Sequence, residues 1–235
     1  MNAALLLLAD GRFPSGGHAH SGGAEPSVGV GDISDLASLR EFVRGRLGTT
    51  GRVDAAFAAA VCALCSDRGS DRSSDRIVEA ETWLRFEAEY LARSASPRLR
   101  QASRTLGRQL LRGGRRAFAS PHYDEAIAAL GTSIPQPLVM GMIAAAARCT
   151  PTEAALCELH HLVGSLTSAG VRLLGLDPFE IAAFGAALGP DLERLATDAG
   201  STAYDDPALL PADVSLLNDV LAEHHGTWEV RLFAS

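Results

Sequence analysis

The feature of this sequence that most limits its possible folds is the helical spacing of its apolar residues. Between positions 151 and 174, apolar residues recur every third or fourth position: Ala155, Leu159, Leu162, Leu166, Ala169 and Leu173. A second run follows the same spacing from Ile77 to Leu91. Residues spaced in this way lie on one face of an α-helix, which buries that face against its neighbours. Patterns typical of strands are scarce, so the sequence predicts an all-α protein.

Capping residues mark where several of the predicted helices begin. The segment Thr150–Glu153 combines an N-cap oxygen, a proline at the first helical position and an acid that can bond back to the cap. Asp177-Pro178 repeats this pattern, and Ser38 is a third candidate N-cap. We therefore expect a single-domain bundle of about eight to ten helices, formed by residues 1–226 and followed by a short tail, 227–235.

Two segments interrupt the helical pattern. Residues 11–31 and 66–74 are rich in glycine, serine and other polar residues, which predicts loops. The apolar opening Ala3–Ala9 is too short for a signal peptide or a membrane span, and no basic residue precedes it. We therefore expect a cytoplasmic protein.

The charged composition excludes several classes of function. Among 235 residues there is no lysine, and all 21 cations are arginine. A phosphate-binding loop of the Walker type needs a lysine, and so does Schiff-base chemistry, which excludes both mechanisms. The formal net charge of −7 disfavours a protein that acts mainly by binding nucleic acid or an anionic membrane.

Cysteine and histidine pairs are the candidate metal ligands. Cys62 and Cys65 have a suitable spacing, but they lie in an alanine-rich helical run without a second such pair, which favours burial in the core. His160-His161 and His224-His225 are adjacent, and neighbours on a helix point in different directions. His18 and His20 lie in the glycine-rich segment, where either ligand binding or packing is open. No residue is assigned as catalytic or as a metal ligand, and no cofactor is predicted.

Arginines recur with helical spacing in the middle of the chain. No acid falls between Glu89 and Asp124, so a helix here would carry a cationic stripe. The stripe could bind an acidic partner, a nucleotide phosphate or RNA, or it could be a solvated face answered by acids on other helices. The negative net charge and the lack of interleaved aromatic residues make RNA the least favoured. The stripe comprises Arg93, Arg98, Arg100, Arg104, Arg108, Arg112, Arg115 and Arg116.

The N-terminal segment carries a more specific pattern. It reads Leu8-Ala9-Asp10, then Pro14-Ser15-Gly16-Gly17, then His20-Ser21, and later Glu25. This order resembles the N-terminal signature of the UreF family of urease accessory proteins. Later segments resemble the same family in the same order along the chain: 103–111 (SRTLGRQLL), 137–141 (PLVMG), 168–173 (SAGVRL) and 231–235 (RLFAS).

The resemblance implies an all-helical, dimeric protein that is not itself an enzyme. Members of this family bind the accessory protein UreD, also called UreH, and recruit the GTPase UreG. The assembly delivers nickel to apo-urease. The expected partners are therefore UreD/UreH, UreG and apo-urease, together with a second copy of the chain, and neither nucleic acid nor a membrane. The missing phosphate loop agrees with this division of labour, because GTP hydrolysis would belong to UreG.

The resemblance also indicates which residues contact partners. Glycine lets a backbone approach a partner closely, and a short apolar tail with an arginine can become ordered on docking. The expected set is Pro14, Gly16, Gly17, His20, Ser21, Gly23 and Glu25 in the N-terminal segment; Arg104, Arg108 and Arg172 in the central helices; and Arg231, Leu232 and Phe233 as anchors for UreD. For Arg104 and Arg108, buried salt bridges are the alternative to partner contacts. The sequence departs from the family pattern at His18, where an aromatic residue is usual, at Ala24 (leucine) and at Ala234 (a basic residue).

Two other functions stay open at the level of sequence. One is a helical module that binds nucleotides or RNA through the stripe Arg93–Arg116, whose affinity would fall steeply with salt. The other is a metal enzyme using His18, His20 and nearby acids, which would carry stoichiometric metal and turn over without partners.

Overall fold

Helices account for all the regular secondary structure in the described residues, which confirms the all-α prediction. The structure is a computed structural model, and it describes residues 3–15, 17, 20–66 and 77–233. A π-helical segment, Leu47–Gly51, and a 3-10 turn, Pro207–Leu209, accompany the α-helices. These are α1 (Ala3–Ala9), α2 (Ala24–Gly29), α3 (Leu36–Arg46), α4 (Arg52–Ser66), α5 (Ala80–Ala92), α6 (Pro97–Ala117), α7 (His122–Leu130), α8 (Gln136–Ala146), α9 (Pro151–Leu174), α10 (Pro178–Ala187), α11 (Gly189–Ser201) and α12 (Leu216–His225).

Helix α4 lies at the centre of the core. Eleven of its fifteen residues are buried, most of them alanine, so neighbouring helices can approach its backbone closely. Helices α8 and α9 pack against it, α11 contacts both α4 and α9, and α6 packs on α8. One continuous cluster of buried apolar side chains runs from Leu8 to Phe233, which agrees with a single-domain architecture.

Helices α3 and α4 form one long run through the π-helical segment. By length and composition alone, the run Leu36–Ser66 could cross a membrane, but 67% of its most apolar window is buried inside the fold. The apolar character of this run therefore reflects its place in the core. The extra residue per turn in a π-helix changes the face that the helix presents. In this chain the π-helical segment lies between α3 and the central helix α4.

The predicted caps are confirmed at two helices and wrong at a third. The hydroxyl of Thr150 accepts the Glu153 N–H at 3.2 Å, while the Glu153 carboxylate accepts the Thr150 N–H at 2.8 Å. Asp177 accepts the N–H of Phe179 at 2.8 Å. Helix α3, however, begins one turn earlier than the Ser38 prediction, because Asp35 is its N-cap and accepts the Ser38 N–H at 2.8 Å.

The two predicted loops have different outcomes. The first contains a helix, α2, which adds to the expected number and brings the total in the described residues to twelve α-helices. Six residues are too short for hydrophobic periodicity to reveal. In the second, Ser66 is the last residue of α4, and residues 67–74 lie outside the described parts of the chain.

Candidate functional site at the junction of the N-terminal segment and the C-terminal tail

Two of the predicted site residues before α2, Pro14 and Gly17, lie along α6 and α9. Pro14 is exposed and contacts Gly113 of α6. Gly17 lies beside α9, where a Cβ on this residue would come within 3.1 Å of the Ser165 hydroxyl. His20 is buried, and its backbone N–H donates to the Gly17 carbonyl at 3.2 Å. Burial also lowers the pKa of the His20 imidazole. Ser21 is also buried; Gly16, like His18 and Ala19, lies outside the described residues.

Gly23 allows α12 to pack directly on the start of α2. Its φ is +96°, a conformation that favours glycine over residues with a side chain. A Cβ at this position would also collide with the side-chain amide of Asn218, which is buried in α12. The glycine of the N-terminal signature therefore permits the contact between the two ends of the chain.

Glu25 joins α2 to the C-terminal tail. Its Oε1 accepts the Leu232 N–H at 2.7 Å, and its Oε2 accepts the Phe233 N–H at 3.0 Å. The same Oε2 lies 3.0 Å from Nε2 of His225, at the end of α12. Glu25 is only 8% exposed, so these contacts replace the water that a carboxylate would otherwise bind. One acidic side chain thereby fixes residues about 200 positions away in sequence.

His225 supports this arrangement as a neutral donor. Burial lowers the pKa of its imidazole, partly offset by the attraction of Glu25. Because a carboxylate only accepts hydrogen bonds, the proton of the neutral ring must sit on Nε2. The ring packs edge-on against Trp228 with centroids 4.9 Å apart. At the turn that leads from α12 into the tail, His225 therefore contacts both Glu25 and Trp228.

Arg172 and Phe233 form the inner end of the junction. Phe233 is 4% exposed and belongs to the buried core. The guanidinium carbon of Arg172 lies 4.4 Å from the centroid of the Phe233 ring, a cation–π contact. Four of the predicted residues, Glu25, Arg172, Leu232 and Phe233, therefore meet at one place. Arg231 is exposed beside them, and Ala234 lies outside the described residues.

The other two predicted arginines lie elsewhere, on α6. Arg104 forms an ion pair with Glu87 of α5 at 2.9 Å, and Arg108 donates to the hydroxyl of Ser133 at 3.0 Å. Acids on other elements also form ion pairs with two other arginines of the stripe: Glu223 with Arg98, and Asp124 with Arg115. Much of the stripe's charge is thus neutralised locally.

An exposed apolar surface lies next to the junction. Helix α12 buries Leu221 and Ala222 but exposes an opposite face. Water exposure of leucine and valine on this scale, gathered on one helix and the short segment before it, is typical of an interaction surface. We call this set the α12 apolar face: Val214 (47% exposed), Leu216 (67%), Leu217 (62%) and Val220 (65%).

The candidate metal ligands do not converge in the described parts of the chain. Within residues 3–15, 17, 20–66 and 77–233, no three His, Cys, Asp or Glu side chains are grouped so as to hold a metal ion. The favoured interpretation of Cys62 and Cys65 is confirmed, because both thiols are buried, and burial raises the pKa of Cys62 to about 12. Nε2 of His161 lies 2.6 Å from the Leu8 carbonyl.

Sequence reasoning missed three residues of the junction: Asn218, His225 and Trp228. His225 was considered only together with His224, as a metal pair. Both histidines instead contact Trp228, and the Trp228 Nε1–H donates to Nδ1 of His224 at 3.3 Å. The aromatic residue three positions after His225 was the available signal, since such spacing brings side chains together where a helix ends.

The comparisons with known proteins give the class of protein first. Residues 33–189 match the sequence model of the family UreF. Similar proteins are named as urease accessory proteins, which distinguishes them from the urease enzyme itself.

Three relatives show how far the similarity extends. The proteins from Mycolicibacterium vanbaalenii and from Mycobacterium sp. strain JLS, each named urease accessory protein UreF, are both 37% identical to this chain, over 235 and 232 residues. The alignments cover 99% and 98% of this chain and 98% and 97% of the relatives. The protein of the same name from Mycobacterium tuberculosis H37Rv is 33% identical over 235 residues, covering 99% of this chain and 98% of the relative. The chain belongs to the UreF family, which confirms the resemblance found in its sequence.

Proposed function

We propose that this chain is a cytoplasmic, non-catalytic urease maturation factor, which binds UreD/UreH and recruits the GTPase UreG for nickel delivery to apo-urease. Membership of the UreF family supports the role in urease maturation. The observation that carries the partner-binding part is the Glu25 carboxylate, since it joins the signature segment to the tail beside an exposed apolar surface.

The proposed UreD surface consists of the α12 apolar face together with Arg231 and Leu232. Leu232 remains 53% exposed although its backbone N–H is held by Glu25. The tail is therefore presented in a fixed position, and this lowers the entropy lost on binding. Covering apolar surface yields about 25 cal/mol per Å², so the exposed leucines and valines provide the driving force. The exposed Arg231 supplies an orienting charge at the edge.

A second contact region is proposed on the opposite part of the signature segment. Pro14 and Gly17 lie on α6 and α9, and α6 also carries Arg104 and Arg108. We propose that this region and the tail let one chain bind two different partners at once. We further propose that two copies of the chain associate, as expected for this family.

The test of this proposal is co-purification from a urease operon. The chain is expressed with UreD and UreG, and the mixture is separated by size exclusion with light scattering. We expect a co-eluting complex that contains two copies of the 24.6 kDa chain. Elution of the chain apart from folded, competent partners would overturn the proposal.

Two surface variants locate the UreD contact. Val220→Glu places a charge in the α12 apolar face without altering a buried residue, and we expect it to abolish co-elution with UreD. Phe179→Glu is the matched control, because Phe179 is 84% exposed on α10, a different helix. Both variants should keep the far-UV circular dichroism of the parent. Normal UreD binding by Val220→Glu would exclude the α12 apolar face from the interface.

A further inference from the structure

A partly open cavity of about 150 Å³ lies between the helices of the bundle, and Arg46 on its lining is close to Gly23 and Asn218 of the junction. That volume equals about five water molecules at roughly 30 Å³ each. Residues from α3, the π-helical segment, α4, α5, α6 and α9 line it, among them Arg46, Thr50, Asp54, Tyr90, Ser103 and Glu158. Such a concentration of polar groups is unusual for the interior of a small domain.

Arg46 is the least expected member of this cavity. The residue is 8% exposed, and burial lowers the pKa of its guanidinium group. Its Nε and Nη1 have no hydrogen-bond partner within the described parts of the chain, and no ion pair there includes it. Asp54 and Asp219 attract it only at longer range. A buried guanidinium without a close acceptor is strongly unfavourable, and this indicates that something else satisfies it.

Two further polar groups at the cavity also have unused capacity. Glu158 is 4% exposed and its Oε2 has no partner among the described residues; the same holds for the hydroxyl of Thr50. Burial, together with repulsion from Asp54, raises the pKa of Glu158 well above its usual range. An uncharged carboxyl carries an O–H donor. Arg46, Thr50 and Glu158 therefore all offer donors to whatever occupies the cavity.

Both acids that attract Arg46 also accept hydrogen bonds from other groups, Asp54 from Tyr90 and Asp219 from the backbone N–H of Ser96. Asp54 accepts the hydroxyl of Tyr90 at 2.9 Å, and Tyr90 is in turn 3.3 Å from the hydroxyl of Ser103. Elsewhere on the lining, Arg100 donates to the carbonyls of Ser94 and Ala95 instead of to an acid. Three acidic residues line the cavity: Asp54, Glu158, and Asp213, which is paired with Arg52 at 3.2 Å. The guanidinium group of Arg46 has no such pair among the described residues, and it favours an occupant that accepts hydrogen bonds and carries a negative charge.

We propose that this cavity is a binding site for a small oxyanion, with the guanidinium group of Arg46 as its principal contact and Thr50 and Glu158 as additional donors. A planar or tetrahedral oxyanion has enough acceptor oxygens for all three groups, and bicarbonate or hydrogen phosphate also has an O–H donor. The cavity has room for such an ion with a few waters. The site does not depend on the urease role, because it rests only on groups inside one chain.

The test measures ligand-dependent stability of the purified full-length chain. Bicarbonate, phosphate, acetate and nitrate are added separately at fixed pH, with chloride keeping the ionic strength constant. A ligand at a hundred times its Kd should raise Tm by about 5–10 °C over chloride. Titration calorimetry then gives each affinity, and the order among the four probes identifies the preferred oxyanion. If none of them raises Tm above the chloride control, the proposal is wrong.

Variants locate the bound ion. Arg46→Met should weaken binding at least tenfold, whereas Arg44→Met, on the exposed face of the same helix, should leave it unchanged. Glu158→Gln keeps an uncharged donor and should bind within about threefold of the parent, while Glu158→Leu should not. If Arg46→Met fails to fold, Thr50→Val is measured instead, with a several-fold loss expected. An oxyanion effect that survives in Arg46→Met, or in Thr50→Val where that variant is used, would place the ion elsewhere and overturn the proposal.

Discussion

Replacing Glu25 with glutamine should release the C-terminal tail without unfolding the protein. The two side chains have the same shape, but a carboxylate accepts hydrogen bonds at both oxygens, whereas an amide accepts at only one. In the parent, Oε1 serves the Leu232 N–H and Oε2 serves both Phe233 and His225. In Glu25→Gln the NH₂ group must therefore face at least one of these donors.

The size of the effect follows from these contacts. A hydrogen bond to an ionised acceptor contributes about 1.5–3 kcal/mol, and a buried donor left without an acceptor costs about 1–3 kcal/mol. We expect docking of the tail to weaken by about 2–4 kcal/mol. Since about 1.4 kcal/mol is a factor of ten, the tail should open roughly thirty times more often, or more. The central helix α4 makes no use of Glu25 and should keep its stability.

Amide hydrogen exchange measures this opening directly. The N–H groups of Leu232 and Phe233 should exchange at least about thirtyfold faster in Glu25→Gln, while the amides of α4 should not change. Glu229→Gln is the matched control, because it makes the same chemical change on an exposed residue of the tail. Unchanged protection of Leu232 and Phe233 in Glu25→Gln would refute the conclusion that this carboxylate holds the tail.

Three further predictions test other parts of the fold. Burial raises the pKa of Asp54 to about 6 from 3.8, so the contribution of this residue to stability is full below pH 3.8 and is lost as pH rises through 6. Asp54→Asn should therefore remove up to about 3 kcal/mol of the pH dependence of the unfolding free energy, measured by urea unfolding at pH 4 and 7.5. Gly23→Ala should destabilise more than Gly31→Ala in the same assay, since both have positive φ but only Gly23 faces a neighbour. Arg104→Met should cost about 1 kcal/mol by losing the half-buried pair with Glu87, whereas Arg115→Met, whose partner Asp124 is 75% exposed, should be nearly neutral in thermal unfolding.

Each outcome has a distinct meaning. An unchanged pH dependence in Asp54→Asn would show that Asp54 is not buried as described. Equal losses in the two glycine variants would mean that α12 does not pack against Gly23. A large loss in Arg115→Met would contradict the view that exposed pairs of the arginine stripe add little.

Much of the local structure was predictable because helices are governed by short-range rules. The period of apolar residues from Ala155 to Leu173 places them on one side of α9, and the cap at Thr150 forms as the sequence indicates. These interactions connect residues three or four positions apart. At α3 the sequence predicted a cap at Ser38, whereas the helix is capped by Asp35, one turn earlier.

The sequence alone also determined the family, because its signature segments occur in order along the whole chain. The comparisons confirm that assignment over nearly the full length. Resemblance placed Glu25, Arg172 and Phe233 in one functional set, but it could not say that they touch. For Arg104 the sequence left a partner contact and a buried salt bridge open, and the structure pairs the residue with Glu87.

Only the tertiary structure decided which distant groups meet. Glu25 reaches Phe233 across 208 positions of sequence because α12 packs on α2 and directs the tail back over it. Arg46 looks like an ordinary solvated arginine in the sequence, yet the fold buries it on the lining of a cavity. Spacing along a helix fixes which residues share a face, whereas the environment of that face depends on how every other helix packs against it.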